Sequence, residues 1–337
     1  MNLFTNTDSL KQTYSTEQNT VPMNSRRLAR TWPYPRHSDF VKSLRKAASD
    51  WFRVKGFLVQ SRYPFILSGW EEWPKNIVLP QVVEFIRKCH RDRAAVQQGF
   101  PLHKYIHHGL SSQAFLFNLM GPLITRNDLE PLKEVLESKG LIWPGNANQP
   151  CFEYEDREIF NEDSGQPTSI DLVIQNGESE SSLFIECKLV EPEFGGCSVF
   201  RNGDCDGSNP ASDFSRCYLH HLGRRYWTLL EKHGFLGGPL RKETSCVLAS
   251  HYQFFREVLF AVEKEGTFIL LSDERSPTFF CDGPSGQRGL FKFLLNFVPV
   301  SIQSRIGSVS VQDLVASIKD SYRHPWIEEF EKKYGMN

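Results

Sequence analysis

A chain of 337 residues, 40% hydrophobic and 23% charged, can build one large domain with additions and has the composition of a folded protein. Its 39 basic and 40 acidic residues leave a net charge of −1, which neither advertises nor excludes nucleic-acid binding, because a duplex feels the local surface and not the whole-chain sum. No stretch approaches the roughly 20 apolar residues of a membrane span, the opening MNLFTNTDSLKQTYSTEQNT lacks the pattern of a secretory signal, and eight scattered cysteines read as reduced thiols, so a cytoplasmic protein with no membrane partner is expected.

Residues 1–25 are polar and read as a flexible tail. Residues 26–110 are expected to be helical. Within them, 37–57 carries apolar residues at helical spacing, and 80–98 opens with Pro80 near its first turn. Ser111 or Ser112 can cap the next helix, SSQAFLFNLMGPLI, which is apolar on most sides and therefore buried. Residues 129–140 form a short amphipathic helix closed by Gly140. The character then changes. CFEYEDR, SIDLVIQ and SLFIECKLV, separated by turn-rich links that include Asn176-Gly177, predict three strands of an antiparallel meander. Residues 195–216 read as loop, 217–233 and 246–264 as helices, 267–273 as a buried strand, and the last segment as helix interrupted near Pro325.

Alternation along 183–188 puts Leu183, Ile185 and Cys187 on one face and Phe184, Glu186 and Lys188 on the other. On the preceding strand Ile170, Leu172 and Ile174 share a face, and Asp171 and Val173 the opposite one. Pairing of these strands brings Asp171 near Glu186. Two close carboxylates repel unless a cation neutralises them. Hard oxygen donors of this kind suit Mg²⁺, which takes one or two carboxylates, waters and a substrate phosphate; Mn²⁺ can replace it. Lys188 would then orient the attacking water and steady the phosphate. The bland reading is a surface hairpin with a cross-strand ion pair. Against it stands the apolar character of both strands, where unpaired charge is expensive.

SIDLVI, a hairpin and LFIECKLVE resemble the core of the PD-(D/E)XK nuclease superfamily, the restriction-endonuclease-like fold. The resemblance is nearest to bacterial restriction-endonuclease-like proteins whose lysine strand runs on into a segment such as Glu191-Pro192-Glu193-Phe194-Gly195. It covers about half the chain, over 111–273, in the order helix, meander, helix, strand. It implies metal binding by Asp171, Glu186 and the backbone carbonyl of Cys187, catalysis assisted by Lys188, DNA as substrate and a restriction or defence role. The chain departs from the family pattern in three ways. Ile170 replaces the nominal proline before Asp171. No glutamate lies on the 111–122 helix, so Glu153 or Glu155 would supply that carboxylate. Only Tyr252-Gln253 approximates the family's later Gln-x-x-x-Tyr element.

Weaker signals remain. Cys197, Cys205 and Cys217 with His220 or His221 make a candidate structural Zn²⁺ set, but lack tight C-x₂-C pairs, and free thiols are the favoured reading. His103, His107 and His108 read as packing or surface residues. Basic clusters occur at Arg26-Arg27 with Arg30 and Arg36, at Arg87-Lys88 with Arg91 and Arg93, and at Arg224-Arg225. Only the last, beside Tyr226-Trp227, is a nucleic-acid-binding candidate, with an ordinary helix face weighing equally.

The expectation is an α/β protein: a tail (1–25), a helical region (26–110), a nuclease-like core (111–275) and a helical extension (276–337). Its function would be Mg²⁺-dependent hydrolysis of DNA phosphodiester bonds. The alternatives are an inactive nucleic-acid-binding member of the same fold and a zinc-stabilised interaction protein. Double-strand cutters often act as homodimers, but no interface is identifiable in the sequence.

Overall fold

The computed structural model describes residues 36–145, 148–177, 181–280, 289–321 and 323–336. The chain divides into two units, Met1–Pro33 and Tyr34–Asn337, and every described residue belongs to the second. The tail and Arg26, Arg27 and Arg30 lie outside the described residues.

Helix α1 (His37–Val54) buries Phe40, Leu44, Ala48, Trp51 and Phe52, a single stripe at helical spacing. A two-stranded hairpin follows, β1 (Val59–Gln60) and β2 (Tyr63–Leu67), where only helix was expected. Helix α2 (Pro80–Ala95) starts on Pro80, whose missing N–H is no loss in the first turn. Helix α3 (Ser112–Thr125) is capped by Ser111, whose hydroxyl accepts the Ala114 N–H at 3.3 Å. Residues 113–123 of α3 are all buried, as its apolar sequence requires. Helix α4 (Glu130–Ser138) completes this half.

Strands β3 (Asn148–Glu155), β4 (Ser169–Asn176) and β5 (Ser182–Lys188) form the antiparallel meander. Helices α5 (Tyr226–Lys232) and α6 (Val247–Glu263) precede β6 (Thr267–Ser272), which pairs parallel to β5. Helix α7 (Leu290–Leu295) leads to β7 (Ile306–Ser310), parallel to β6, and helices α8 (Val311–Asp320) and α9 (Ile327–Tyr334) end the fold. The sheet order is β3-β4-β5-β6-β7. Strands β5 and β6 are buried along their whole length, as central strands covered on both faces must be. One face carries Leu183, Ile185 and Cys187 onto α3, α8 and α9, while the other carries Phe184, Phe268 and Leu270 onto α5, α6 and α7. This is an α/β protein of three layers.

Four expectations need correction. The 276–337 segment is not purely helical. It donates β7, a short strand with only Ile306 and Val309 as apolar anchors, which exists because it pairs with β6. The 217–233 helix is two pieces, Tyr218–His221 and α5, broken where Gly223 takes φ +78°. Ile170 leaves the face of Leu172 and Ile174 and joins the α6-side core, beside the left-handed Glu153 of β3, whose pair with Asp171 is missing from the ladder. Finally, residues 195–216 are not all loop: Ser198–Arg201 is one turn of helix and Phe214–Arg216 a short 3-10 turn.

Candidate active site

The site lies where β4 and β5 approach the α6-side core. Leu172 pairs with Ile185 and Val173 with Phe184, so Asp171 and Glu186 come next along the two strands. Asp171 Oδ2 accepts the backbone N–H of Cys187 at 2.9 Å. Lys188 Nζ donates to Glu186 Oε1 at 2.6 Å, and both side chains are buried. Asp171, Glu186 and Lys188 thus converge on one end of the sheet.

Two further residues come from α6, and the sequence reading missed the role of both. Gln253 and Glu257 stand one helical turn apart on one face. Gln253 Nε2 donates to Glu186 Oε1 at 2.7 Å, and its Oε1 accepts Lys188 Nζ at 2.8 Å. Glu257 is 1% exposed and meets the Glu186 carboxyl, yet neither of its oxygens, nor Glu186 Oε2, has a satisfactory hydrogen-bond donor. The available signal was the Gln-x-x-x-Glu spacing, with glutamate where the related element carries tyrosine.

Glu153 enters from β3. The β3–β4 register skips it, and its φ is +52°, a left-handed conformation costly for a side chain with a Cβ. Arg93 of α2 clamps this irregularity. Its guanidinium donates to the carbonyls of Glu153 (2.6 Å), Phe152 and Gly99 (3.0 Å). Glu153 Oε1 accepts from Gln113 of α3 at 2.6 Å, and its Oε2 from Ser169 at 3.1 Å. Gln113 occupies the helix on which relatives carry an acid, and it points to the acid on the strand. Glu155 is half-buried and lies outside the cleft lining.

The electrostatics follow from this crowding. Burial raises Asp171 well above the usual carboxylate range, and Glu186 adds to it. Burial and the neighbouring Glu257 do the same to Glu186. Glu257 is pushed up to about 7 by burial, against the pull of Lys188. Glu153 is pushed up to about 8 by burial and then by Asp171, with Gln113 and Ser169 opposing. Lys188 would lose its charge by burial alone, but the surrounding carboxylates, Glu186 first, hold it protonated.

These groups open on a cleft of about 690 Å³. Its far wall contains Arg256, which lies 4.6 Å from the Tyr252 ring and pairs with Glu162 at 3.1 Å. Glu162 also accepts from the Tyr226 hydroxyl and from Thr168. Arg224 is buried and committed to Asp163, Ser164 and the Asn161 carbonyl, whereas Arg225 is exposed. Tyr226 and Trp227 are core residues, as the plainer reading had them. His103 lines the cleft, while His108 is held down to about 4 by burial and its neighbour His107.

As a place for Mg²⁺, the sheet end offers hard donors in the right number. Asp171 and Glu186 bring carboxylates, Glu186 Oε2 is buried without a donor, and the Cys187 carbonyl follows Glu186 directly along β5. Cys197, Cys205 and Cys217 line a separate small cavity, joined there by Cys246 and not by His220 or His221. Among the described residues, no group of three or more His, Cys, Asp or Glu side chains stands ready to enclose an ion.

No described helix is long and apolar enough to cross a membrane. Neither a curated protein nor a solved structure matches the chain. A family model described as "Restriction Endonuclease associating with ARP" matches residues 45–335, a span that takes in the sheet, α6 and every residue of the cleft. The chain belongs to this restriction-endonuclease family, REase-ARP.

Proposed function

We propose that this chain is a Mg²⁺-dependent nuclease that hydrolyses DNA phosphodiester bonds in a restriction or defence role, on a restriction-endonuclease-like core formed by α3, the meander, α6 and β6. The observation that carries this reading is the convergence of Asp171, Glu186 and Lys188 at one buried sheet end, linked through Cys187 and Gln253. A surface ion pair would not be buried, nor would it be flanked by a carboxylate oxygen lacking a donor. Asp171, Glu186 and the Cys187 carbonyl would hold Mg²⁺, or Mn²⁺ in its place. When bound, the ion supplies charge neutralisation at the phosphate and a lower pKa for water.

The chain's own residues do the rest. Lys188 holds a positive charge in a dry site, where it orients the attacking water and offsets charge developing on the phosphate. Gln253 keeps Lys188 and Glu186 in register through one amide. Glu153, raised to about 8 and so carried as the neutral acid at pH 7, would donate a proton at the cleft wall and then take it back. Arg225 would meet the nucleic-acid backbone from solvent, while Arg224 shapes the 161–164 loop at the cleft rim.

Plasmid and single-stranded DNA incubated with wild type and Lys188→Ala, with Mg²⁺ or with chelator, test the proposal. Cleavage should require Mg²⁺ and fall by at least ~10²-fold in the variant. Cleavage that survives the substitution would end the mechanism, and binding without cleavage by wild type would favour an inactive binding protein.

A further inference from the structure

The mouth of the cleft carries three groups that neither the catalytic cluster nor the core uses. His103 lines the cleft. Its Nδ1 accepts the backbone N–H of Tyr105 at 3.3 Å, so the ring proton sits on Nε2, which has no partner among the described residues. Partial burial, and then Lys104, hold His103 below its ordinary value and keep the imidazole neutral at pH 7. Lys104 is exposed and pairs with no acid among the described residues; its Nζ lies 4.8 Å from the Tyr105 ring. Trp70 opens the 3-10 turn Trp70–Asn76, is 39% exposed, and stacks on no other ring among the described residues. Its indole N–H donates to the His103 carbonyl at 3.4 Å.

These groups are fixed to the reaction centre. The His103 backbone N–H donates to Gln113 Oε1 at 2.8 Å, and Gln113 Nε2 donates to Glu153 Oε1 at 2.6 Å. One amide thus ties the segment to an acid of the site. Farther along, Asn76 Nδ2 donates to the carbonyls of Ile106 and His108 at 2.7 and 2.8 Å, and His108 bridges to Ile66 of β2. The nearby acids are engaged elsewhere: Glu191 accepts the Leu189 N–H at 2.7 Å, and Glu71 acts on His107.

A lone exposed tryptophan is ordinary. An anchored one, beside an unpaired ammonium and a free imidazole N–H, matches the parts of one nucleotide. The two donors suit phosphate oxygens, and the indole face suits a base. Inside a closed duplex both faces of each base are already covered by neighbours, so the indole can take only an unpaired base. We propose that His103, Lys104 and Trp70 form a shelf for one unpaired nucleotide flanking the scissile phosphate, with His103 and Lys104 on its phosphate and Trp70 on its base. The preferred substrate is then single-stranded DNA or a strand end, not the interior of a duplex. This deepens the nuclease reading and rests on it.

The test is fluorescence anisotropy with a short labelled oligothymidine strand and a blunt, closed hairpin duplex, on the full-length protein in chelator at pH 7. Wild type should bind the single strand more tightly. Trp70→Ala should weaken single-strand binding about tenfold and leave the duplex nearly unchanged, while Trp70→Phe keeps most of the affinity. Lys104→Ala should lower the salt slope of single-strand binding by about 0.7, the share of one phosphate contact. His103→Ala should weaken the single strand about tenfold, with His103→Gln, which keeps a donor, recovering part of it. Trp70 and Lys104 are exposed, so their variants should fold, which circular dichroism checks. The shelf is overturned by equal losses on strand and duplex, by unchanged single-strand affinity in Trp70→Ala, by an unchanged salt slope in Lys104→Ala, or by a wild type that favours the duplex. Mg²⁺-dependent cleavage by wild type is scored separately. Cleavage by a protein whose Trp70→Ala form binds normally refutes the shelf alone. Selective loss of single-strand binding in Trp70→Ala, with no cleavage by wild type, refutes the nuclease reading and leaves a binding shelf.

Discussion

Raising the pH of the metal-free protein should weaken it through Glu153. This carboxyl is 8% exposed, and burial with Asp171 nearby lifts it from 4.5 to about 8. Between those values the folded protein holds a proton that the unfolded chain has released. The contribution is therefore complete below about pH 4.5 and is lost as pH rises toward 8, with a slope near ~1.4 kcal/mol per pH unit. From pH 5 to 8 the loss amounts to about 4 kcal/mol, against a typical total stability of roughly 5–15 kcal/mol. The assay is urea unfolding in chelator at each pH unit, for wild type and Glu153→Gln. Glutamine keeps the volume and cannot titrate. Asp171, Glu186 and Glu257 titrate in both proteins, so the difference between the two curves reports Glu153 together with its coupling to Asp171. The variant should gain on wild type steadily from pH 5 to 8. Parallel curves would refute the claim that Glu153 is carried neutral in the folded state.

Two more substitutions probe what holds the site. Arg93→Ala removes the clamp on the Phe152–Glu153 backbone and should cost about 2–4 kcal/mol, seen as a lower thermal midpoint, with Arg93→Lys recovering little because an ammonium lacks the planar fork. An unchanged midpoint would show that the left-handed Glu153 backbone holds itself. At Gly196 an added Cβ would lie 2.6 Å from the Ala249 carbonyl at the start of α6. Gly196→Ala should therefore cost about 1–3 kcal/mol in denaturant unfolding, and wild-type stability in this variant would mean that the loop moves without resistance.

The sheet end was legible because its sequence breaks its own rule. SIDLVI and LFIECK are core strands except at Asp171, Glu186 and Lys188; alternation puts Glu186 and Lys188 on one face, and pairing of the two strands brings Asp171 beside them. Helix α3 was legible for a similar reason, since a helix apolar on most sides with a serine before it has few other fates. Gln253 was not. It lies 65 residues beyond Lys188, on a helix whose Phe254, Phe255, Val258 and Leu259 already explain its burial. Which polar residues of that helix turn toward β5 depends on how the helix docks, and periodicity does not fix docking. Arg93 read as one member of a surface cluster because its partners are carbonyls of a distant strand, and backbone acceptors leave no mark in the residue pattern. Strand β7 escaped for want of local signal, being held by β6 rather than by its own sequence.

The near-zero net charge of the chain gains a local explanation. The arginines of the cleft do not face outward as free cations: Arg256 is matched by Glu162 and Arg224 by Asp163. The acids at the sheet end outnumber the one lysine among them. On the proposed reading, attraction for a phosphodiester is delegated to the ion held by those acids, and the arginines serve to stiffen the walls. A polyanion-binding site of this kind needs no excess of basic residues, because the positive charge comes from solution and the chain supplies only the carboxylates that collect it. The crowded carboxylates of Asp171 and Glu186 repel one another, and Glu153 beside them takes a left-handed backbone, costs that are hard to explain for a sheet end with a purely structural role.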